Sequence, residues 1–240
     1  MATIIVVAGV GVYALTRGHA QSTIGKSAGK SAGPGKPLAC PAGSVRVSPG
    51  AVPSLAGSTA YCFAAGTYHR FRVTPQNGDR FYGGGHTTLD GDNAVSAAFS
   101  GSFSSVTIDG FTIRNYSVPV PREDVSEAPG VINVESGATV TISNNTIGPD
   151  RSSGVSIGPG CYDYDQAGRT VDSVTVTHNV VHDVGDSGIA VNCSNNSVVS
   201  DNEIYHTNQW KLDSEWGNAA LGKFAFSKNS TVIGNWVSCH

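Results

Sequence analysis

One short phrase recurs in a fixed frame down the second half of this chain. It reads VTISNNTI at Val140–Ile147, VTVTHNVV at Val174–Val181, VVSDNEI at Val198–Ile204 and VIGNWV at Val232–Val237, with a weaker copy, VTIDGFTI, at Val106–Ile113. Superposing the frames aligns Phe111, Asn145, Asn179, Asn202 and Asn235, at steps of 34, 34, 23 and 33 residues. A period of this size marks a repeat architecture. Each unit is too short to bury a face alone and must stack on its neighbours.

Within the phrase, Val and Ile alternate with Thr, Ser and Asn at period two, the pattern of half-buried strands. A second short apolar strand follows a glycine at Gly130-Val131-Ile132, Gly154-Val155-Ser156-Ile157, Gly188-Ile189-Ala190-Val191 and Gly222 to Phe226. Two or three short strands per unit, with Asn and Gly at the bends, make one turn of a solenoid. Asn tolerates left-handed backbone and bonds locally, so it suits a tight corner. Stacked copies are expected to form an Asn ladder inside the coil. Helical periodicity is almost absent.

These residues resemble the right-handed parallel β-helix repeat proteins, the pectate-lyase-like solenoids, from about Gly66 to His240. The stretch from Ala65 to Gly91, with a Pro75-Gln76-Asn77-Gly78 turn and a Leu89-Asp90-Gly91 corner, looks like the entry coil of that family. The resemblance implies an all-β fold, a right-handed parallel β-helix. It says little about reaction, because one fold hosts many activities.

Thirty Gly, eleven Pro and only 14% charged residues fit a loop-rich β solenoid better than a helical enzyme. The formal charge is −3, and the segment 1–37 holds Arg17, Lys26, Lys30 and Lys36 with no acid, so the remainder carries −7. A basic footprint is missing from the folded part, which argues against nucleic acid as a partner.

Three segments are expected. Residues 1–20 contain an apolar run, Thr3 to Leu15, followed by Arg17 and a Gly18-His19-Ala20 cleavage-like site. That run is short of the about 20 residues a spanning helix needs. It reads as a signal peptide or signal anchor, although no cation precedes it. Residues 21–37 are mostly Gly, Ser, Ala and Lys, a flexible linker. Residues 38–240 are the β-helix. Its last repeat reaches His240 without a covering segment, so an incomplete solenoid with no C-terminal cap is expected. The chain is expected to be secreted or on the cell surface, touching membrane only through the first segment if that is uncleaved.

With export, disulfides are the default for Cys40, Cys62, Cys161 and Cys193, and Cys239 is left over. Cys40 and Cys62 would close a loop at the N-terminal cap. Cys161 and Cys193 follow equivalent strands in adjacent coils, about 4.8 Å apart. No C-x-x-C spacing supports a metal.

The chemistry is expected where insertions leave the coil, at Tyr116–Pro129, Pro159–Thr170 and Tyr205–Leu221. These would rise as walls on either side of the glycine-strand face. Alternation turns Asn133, Ser156, Ala190 and Ala225 outward as a groove floor. One wall offers Arg122, Glu123, Asp124, Trp210, Lys211, Asp213, Glu215 and Trp216; the other Tyr162, Asp163, Tyr164, Asp165 and Arg169. Aromatics beside carboxylates and bases suit sugar rings and their charged groups. The plainer alternative is a set of ordinary solvated loops.

Stacking at the 23-residue step makes Asp183 and His206 neighbours, and a carboxylate-oriented imidazole is a usable general base. The plainer reading of the same residues is a corner where they merely close a turn. A lyase would use His206 as base with Lys211 or Arg169 as the neutralising cation. A glycoside hydrolase would draw two carboxylates from Asp163, Asp165, Asp213 and Glu215. Polysaccharide is the expected partner, and a non-catalytic adhesion or structural solenoid is the alternative. No cofactor is expected. Asp163-Tyr164-Asp165 faintly matches a calcium loop, but Ala167 replaces a ligand and Val174 stands where a bidentate Glu belongs, which leaves at most a looser Ca²⁺ site.

Overall fold

A computed structural model describes residues 33–117, 129–158, 171–209, 221 and 227–238. Among these the fold is all-β. Short strands stack in parallel, coil upon coil, in an arrangement compatible with a parallel β-helix.

Each coil contributes a strand to successive faces. The first face stacks Ala60–Phe63, the start of Arg80–Asp90, the start of Thr107–Arg114, Thr141–Ser143, Thr175–Thr177, Val198–Ser200 and Thr231–Ile233. Next to it, the second face stacks Gly66–His69, the ends of the same two long strands, Thr146–Ile147, Val180–His182, Glu203–Tyr205 and Trp236–Ser238. The third face carries Phe99–Ser102, Gly130–Ala138, Ser153–Ile157 and Ile189–Val191. A short fourth stack pairs the end of Gly130–Ala138 with Val171–Asp172 and Ser194–Asn195.

The aligned phrase folds as its spacing requires. Phe111, Asn145, Asn179, Asn202 and Asn235 lie one above another at the corner between the first and second faces. The Oδ1 atoms of Asn145, Asn179, Asn202 and Asn235 accept the backbone N–H of the residue one coil earlier, at 3.0, 3.0, 2.9 and 2.9 Å. The side-chain amides also run coil to coil, at 3.0, 3.0 and 2.8 Å. Each Nδ2 further donates to a backbone carbonyl of the preceding coil: Ile108, Ile142, Val176 and Val199. Burial of these amides is therefore matched bond for bond.

The left-handed residue of this corner is not the ladder Asn but the one before it. Gly110, Asn144, His178, Asp201 and Gly234 have φ of 76°, 57°, 55°, 54° and 69°. That single turn swings the next side chain inward, so the Asn enters the coil rather than solvent.

Residues 33–38 lie across this corner. The Gly35 N–H donates to the His178 carbonyl at 3.1 Å, and the Leu38 N–H donates to Asp109 Oδ1 at 2.7 Å. A Cβ on Gly35 would fall 2.2 Å from Asn144 Oδ1, so only glycine fits that crossing. Cys40 and Cys62 are disulfide-bonded with Cα atoms 5.8 Å apart, tying this segment to the first coils. Cys193 is disulfide-bonded too; Cys161 and Cys239 lie outside the described residues.

Two details depart from the sequence frame. Gly130 stands opposite Ser153, not Gly154, although Ile132 and Val155 pair as expected. In the coil after the Tyr205–Leu221 insertion, Leu221 pairs with Ile189, the place the glycine-strand frame gives to Phe224. An insertion erases the count of residues from one corner to the next, so the frame slips by three.

Candidate functional site

Three of the four groove-floor residues share one row, and Ala225 lies outside the described residues. Asn133, Ser156 and Ala190 face one another in register across adjacent coils. The inward neighbours Ile132, Val134, Val155, Ile157, Ile189 and Val191 belong to the core. The row is closed over, with Asn133 5% exposed and Ser156 and Ala190 fully buried. Asn133 donates from Nδ2 to Ser100 Oγ at 3.2 Å, while Asn133 Oδ1 and Ser156 Oγ find no hydrogen-bond partner among the described residues. The wall candidates Arg122, Glu123, Asp124, Tyr162, Asp163, Tyr164, Asp165, Arg169, Trp210, Lys211, Asp213, Glu215 and Trp216, with the Ca²⁺ candidates among them, lie outside the described residues.

Asp183 and His206 do meet, and a second imidazole joins them. Strand Val180–His182 leaves His182 on the outer side of the second face, one step before the corner. Asp183 and His206 occupy the corner itself in successive coils, both left-handed at φ 51° and 50°. Asp183 Oδ2 lies 2.8 Å from His182 Nδ1, and Asp183 Oδ1 lies 3.0 Å from His206 Nδ1. One carboxylate thus holds two imidazoles, one on each oxygen. Partial burial pushes the Asp183 carboxyl up, but the hydrogen bonds and charges of the two histidines outweigh it and hold the group below the ordinary carboxylate range.

Aromatic rings frame the cluster. Tyr205 pairs with His182 in register. Its ring stacks on the His182 ring at 5.3 Å and 10°, and meets the His206 ring edge-on at 5.2 Å and 82°. Trp236, one coil further, lies 6.3 Å from Tyr205 at 68°. The side chains of His182, Asp183 and His206 are 19%, 44% and 39% exposed, so the cluster opens to solvent. Past His206 the chain stays on its coil as far as Gln209, whose N–H donates to the Val184 carbonyl at 3.1 Å. The cluster therefore stands at the foot of the Tyr205–Leu221 insertion.

A second charged group lies on the same edge in the first coils. His69 Nδ1 is 2.9 Å from Asp92, and the buried Asp90 accepts from Arg114 Nε and Asn115 Nδ2 at 3.1 Å. Each carboxylate there is taken by a neighbouring cation or amide, so this group reads as a closed corner. Among the described residues no three His, Cys, Asp or Glu side chains form a metal cage.

His182 and Tyr205 were not singled out by sequence reasoning. Their signal was present: the 23-residue step that aligns Asp183 with His206 also aligns His182 with Tyr205. Comparison with protein families, curated proteins and solved structures gives no match to this chain.

Proposed function

We propose that this chain is an exported right-handed parallel β-helix of the pectate-lyase-like kind, acting on or binding polysaccharide along its outer edge. The observation that carries the reading is the His182–Asp183–His206 cluster beside the Tyr205 and Trp236 rings. Aromatic faces take sugar rings by stacking, and carboxylate-oriented imidazoles take hydroxyl or glycosidic oxygens. General acid–base groups of this type contribute typically 10²–10⁴-fold to a rate. The 34-residue period and the parallel stacks support the solenoid class, and the disulfides accord with an oxidising compartment.

A second reading, a non-catalytic adhesion or structural solenoid, draws on the closed floor over Asn133, Ser156 and Ala190. A broad panel of neutral and acidic polysaccharides, incubated with the full chain and assayed for new chain ends, separates the two. Product from at least one polymer, lost in His206→Gln, is the expected outcome. Retention on a polymer without product supports the second reading. A chain that neither retains nor cleaves any polymer defeats the glycan reading and leaves the structural solenoid.

A further inference from the structure

We infer that His182 and His206 form one proton-transferring pair, with Asp183 as the positioning residue that fixes both rings. The ligand class, a glycan, rests on the reading above; the state of the rings does not.

An ionised carboxylate only accepts hydrogen bonds. Asp183 is kept ionised by its surroundings, and each of its oxygens contacts one imidazole Nδ1. Both Nδ1 atoms must therefore carry hydrogen. A neutral imidazole has one N–H, so in each ring the acceptor is Nε2. A protonated ring keeps its bond to Asp183 and turns Nε2 from acceptor into donor. The same atom thus serves as base or acid while the ring stays in place.

One carboxylate between two rings balances one positive charge, not two. Acid–base cleavage uses the form in which one ring's Nε2 donates and the other's accepts. That form supplies both halves of a cleavage at a glycosidic oxygen. The neutral ring's Nε2 takes a proton from water, whose oxygen bonds to the sugar carbon. The bond from that carbon to the leaving oxygen breaks, its electron pair passing to the oxygen, which takes the proton from the other ring's Nε2. One proton enters the pair and one leaves it, and exchange with solvent restores the starting form.

The surroundings suit this use. Tyr205 lies against both rings and limits their rotation about the Asp183 bonds. From its own strand Glu203 also faces the cluster; burial first, then the charges of Glu203 and Asp183, push the Tyr205 phenol up, so that it stays neutral. Strand Trp236–Ser238 brings no titratable side chain. In the preceding coil Asp150 donates its backbone N–H to the Asp183 carbonyl at 3.1 Å, fixing the corner on which Asp183 sits.

The test has two arms on the full chain. Long-range ¹H–¹⁵N correlation at pH 8 reads the tautomer of each histidine. Hydrogen on Nδ1 in both His182 and His206 is expected, lost from at least one of them in Asp183→Asn. Hydrogen on Nε2 of either ring in the unaltered protein overturns the inference, whatever the glycan result. On any polymer that the chain cleaves, His182→Gln and His206→Gln should each lower the rate at least 10²-fold. The exposed His69→Gln serves as a control with the rate retained. Asp183→Asn should change the shape of the pH–rate profile as well as its height. Full activity in His182→Gln beside a dead His206→Gln removes the pair and leaves the glycan function standing. Correct tautomers with no polymer cleaved remove the catalytic role and with it the enzymatic reading.

Discussion

The first coils and the later coils solve the same packing problem with different chemistry. From Ala60 to Phe111 the interior is filled with rings. Phe63 meets Tyr68, Phe71 and Phe111 at 5.2, 5.5 and 5.2 Å, and Phe99 meets Phe81 and Phe71 at 5.1 and 5.7 Å. From Val140 to Val199 the interior is aliphatic, with Ile142, Ile147, Val155, Ile157, Val176, Val181, Ile189 and Val199 all fully buried beside the Asn ladder. Rings fill an irregular cross-section because each occupies much volume at low conformational cost. Branched aliphatics need a cross-section that repeats, and the ladder imposes the repeat by bonding every coil to the next at one corner. The two solutions meet at Phe111. Its N–H is taken by Asn145 Oδ1 like any ladder residue, while its ring turns into the aromatic cluster.

The largest expected effect breaks the ladder. Asn179→Leu keeps the volume and removes the amide. Asn145 N–H is left without its acceptor, Asn145 Nδ2 keeps only the Ile108 carbonyl, and the Ile142 and Thr177 carbonyls and Asn202 Oδ1 each lose one donor. An unsatisfied buried group costs about 1–3 kcal/mol, so the total is on the order of 5 kcal/mol. Whole domains have only about 5–15 kcal/mol in hand. Urea unfolding should place the midpoint far below that of the unaltered chain. A loss under about 1 kcal/mol would mean that the ladder records the register without enforcing it.

The next effect, Phe111→Ala, leaves the ladder bond from its backbone intact and empties the junction. Loss of a buried Phe costs about 3–5 kcal/mol. Because solenoid stability is close to a sum over coils and their interfaces, the damage should be local. Amide exchange is expected to quicken in Ala60–Phe111 while Val140–Val181 stays protected. Uniform loss through both regions would show that they fold as one unit and that the distinction is compositional only.

The ladder side of the contrast was readable. The Asn frame stood out because only one position per coil can carry an amide ladder, so residue type and period coincide. The left-handed residue before it was hidden, because Gly110, Asn144, His178, Asp201 and Gly234 share a backbone shape but no side-chain type. The slip to Leu221 was hidden by the insertion preceding it. At the site, Asp183 beside His206 followed from the 23-residue step alone. That both histidines hold the same carboxylate did not, because it depends on left-handed backbone at Asp183 and His206, which turns two corner side chains toward each other.

The smallest expected effect is a gain, and it lies where the two regions join. Tyr116 closes the aromatic side, its hydroxyl donating to the Phe71 carbonyl at 2.8 Å. Asp150 opens the ladder side, accepting the Tyr116 N–H on Oδ1 at 2.5 Å while Oδ2 finds no partner among the described residues. Burial pushes this carboxyl well above its ordinary range; the Tyr116 N–H pulls it partly back, and the charge of Asp90 adds to the rise. A carboxyl raised in the folded state favours folding in its protonated form. Its contribution is therefore complete below the unfolded value of about 3.9 and falls away as pH rises toward and through the folded value. Asp150→Asn keeps an acceptor for Tyr116 and cannot ionise. Near pH 4 the variant should match the unaltered chain, and at pH 7 its urea midpoint should be higher. A difference that is the same at both pH values would show that Asp150 is ionised in the folded state, and that the junction is held by charge and not by a buried neutral acid.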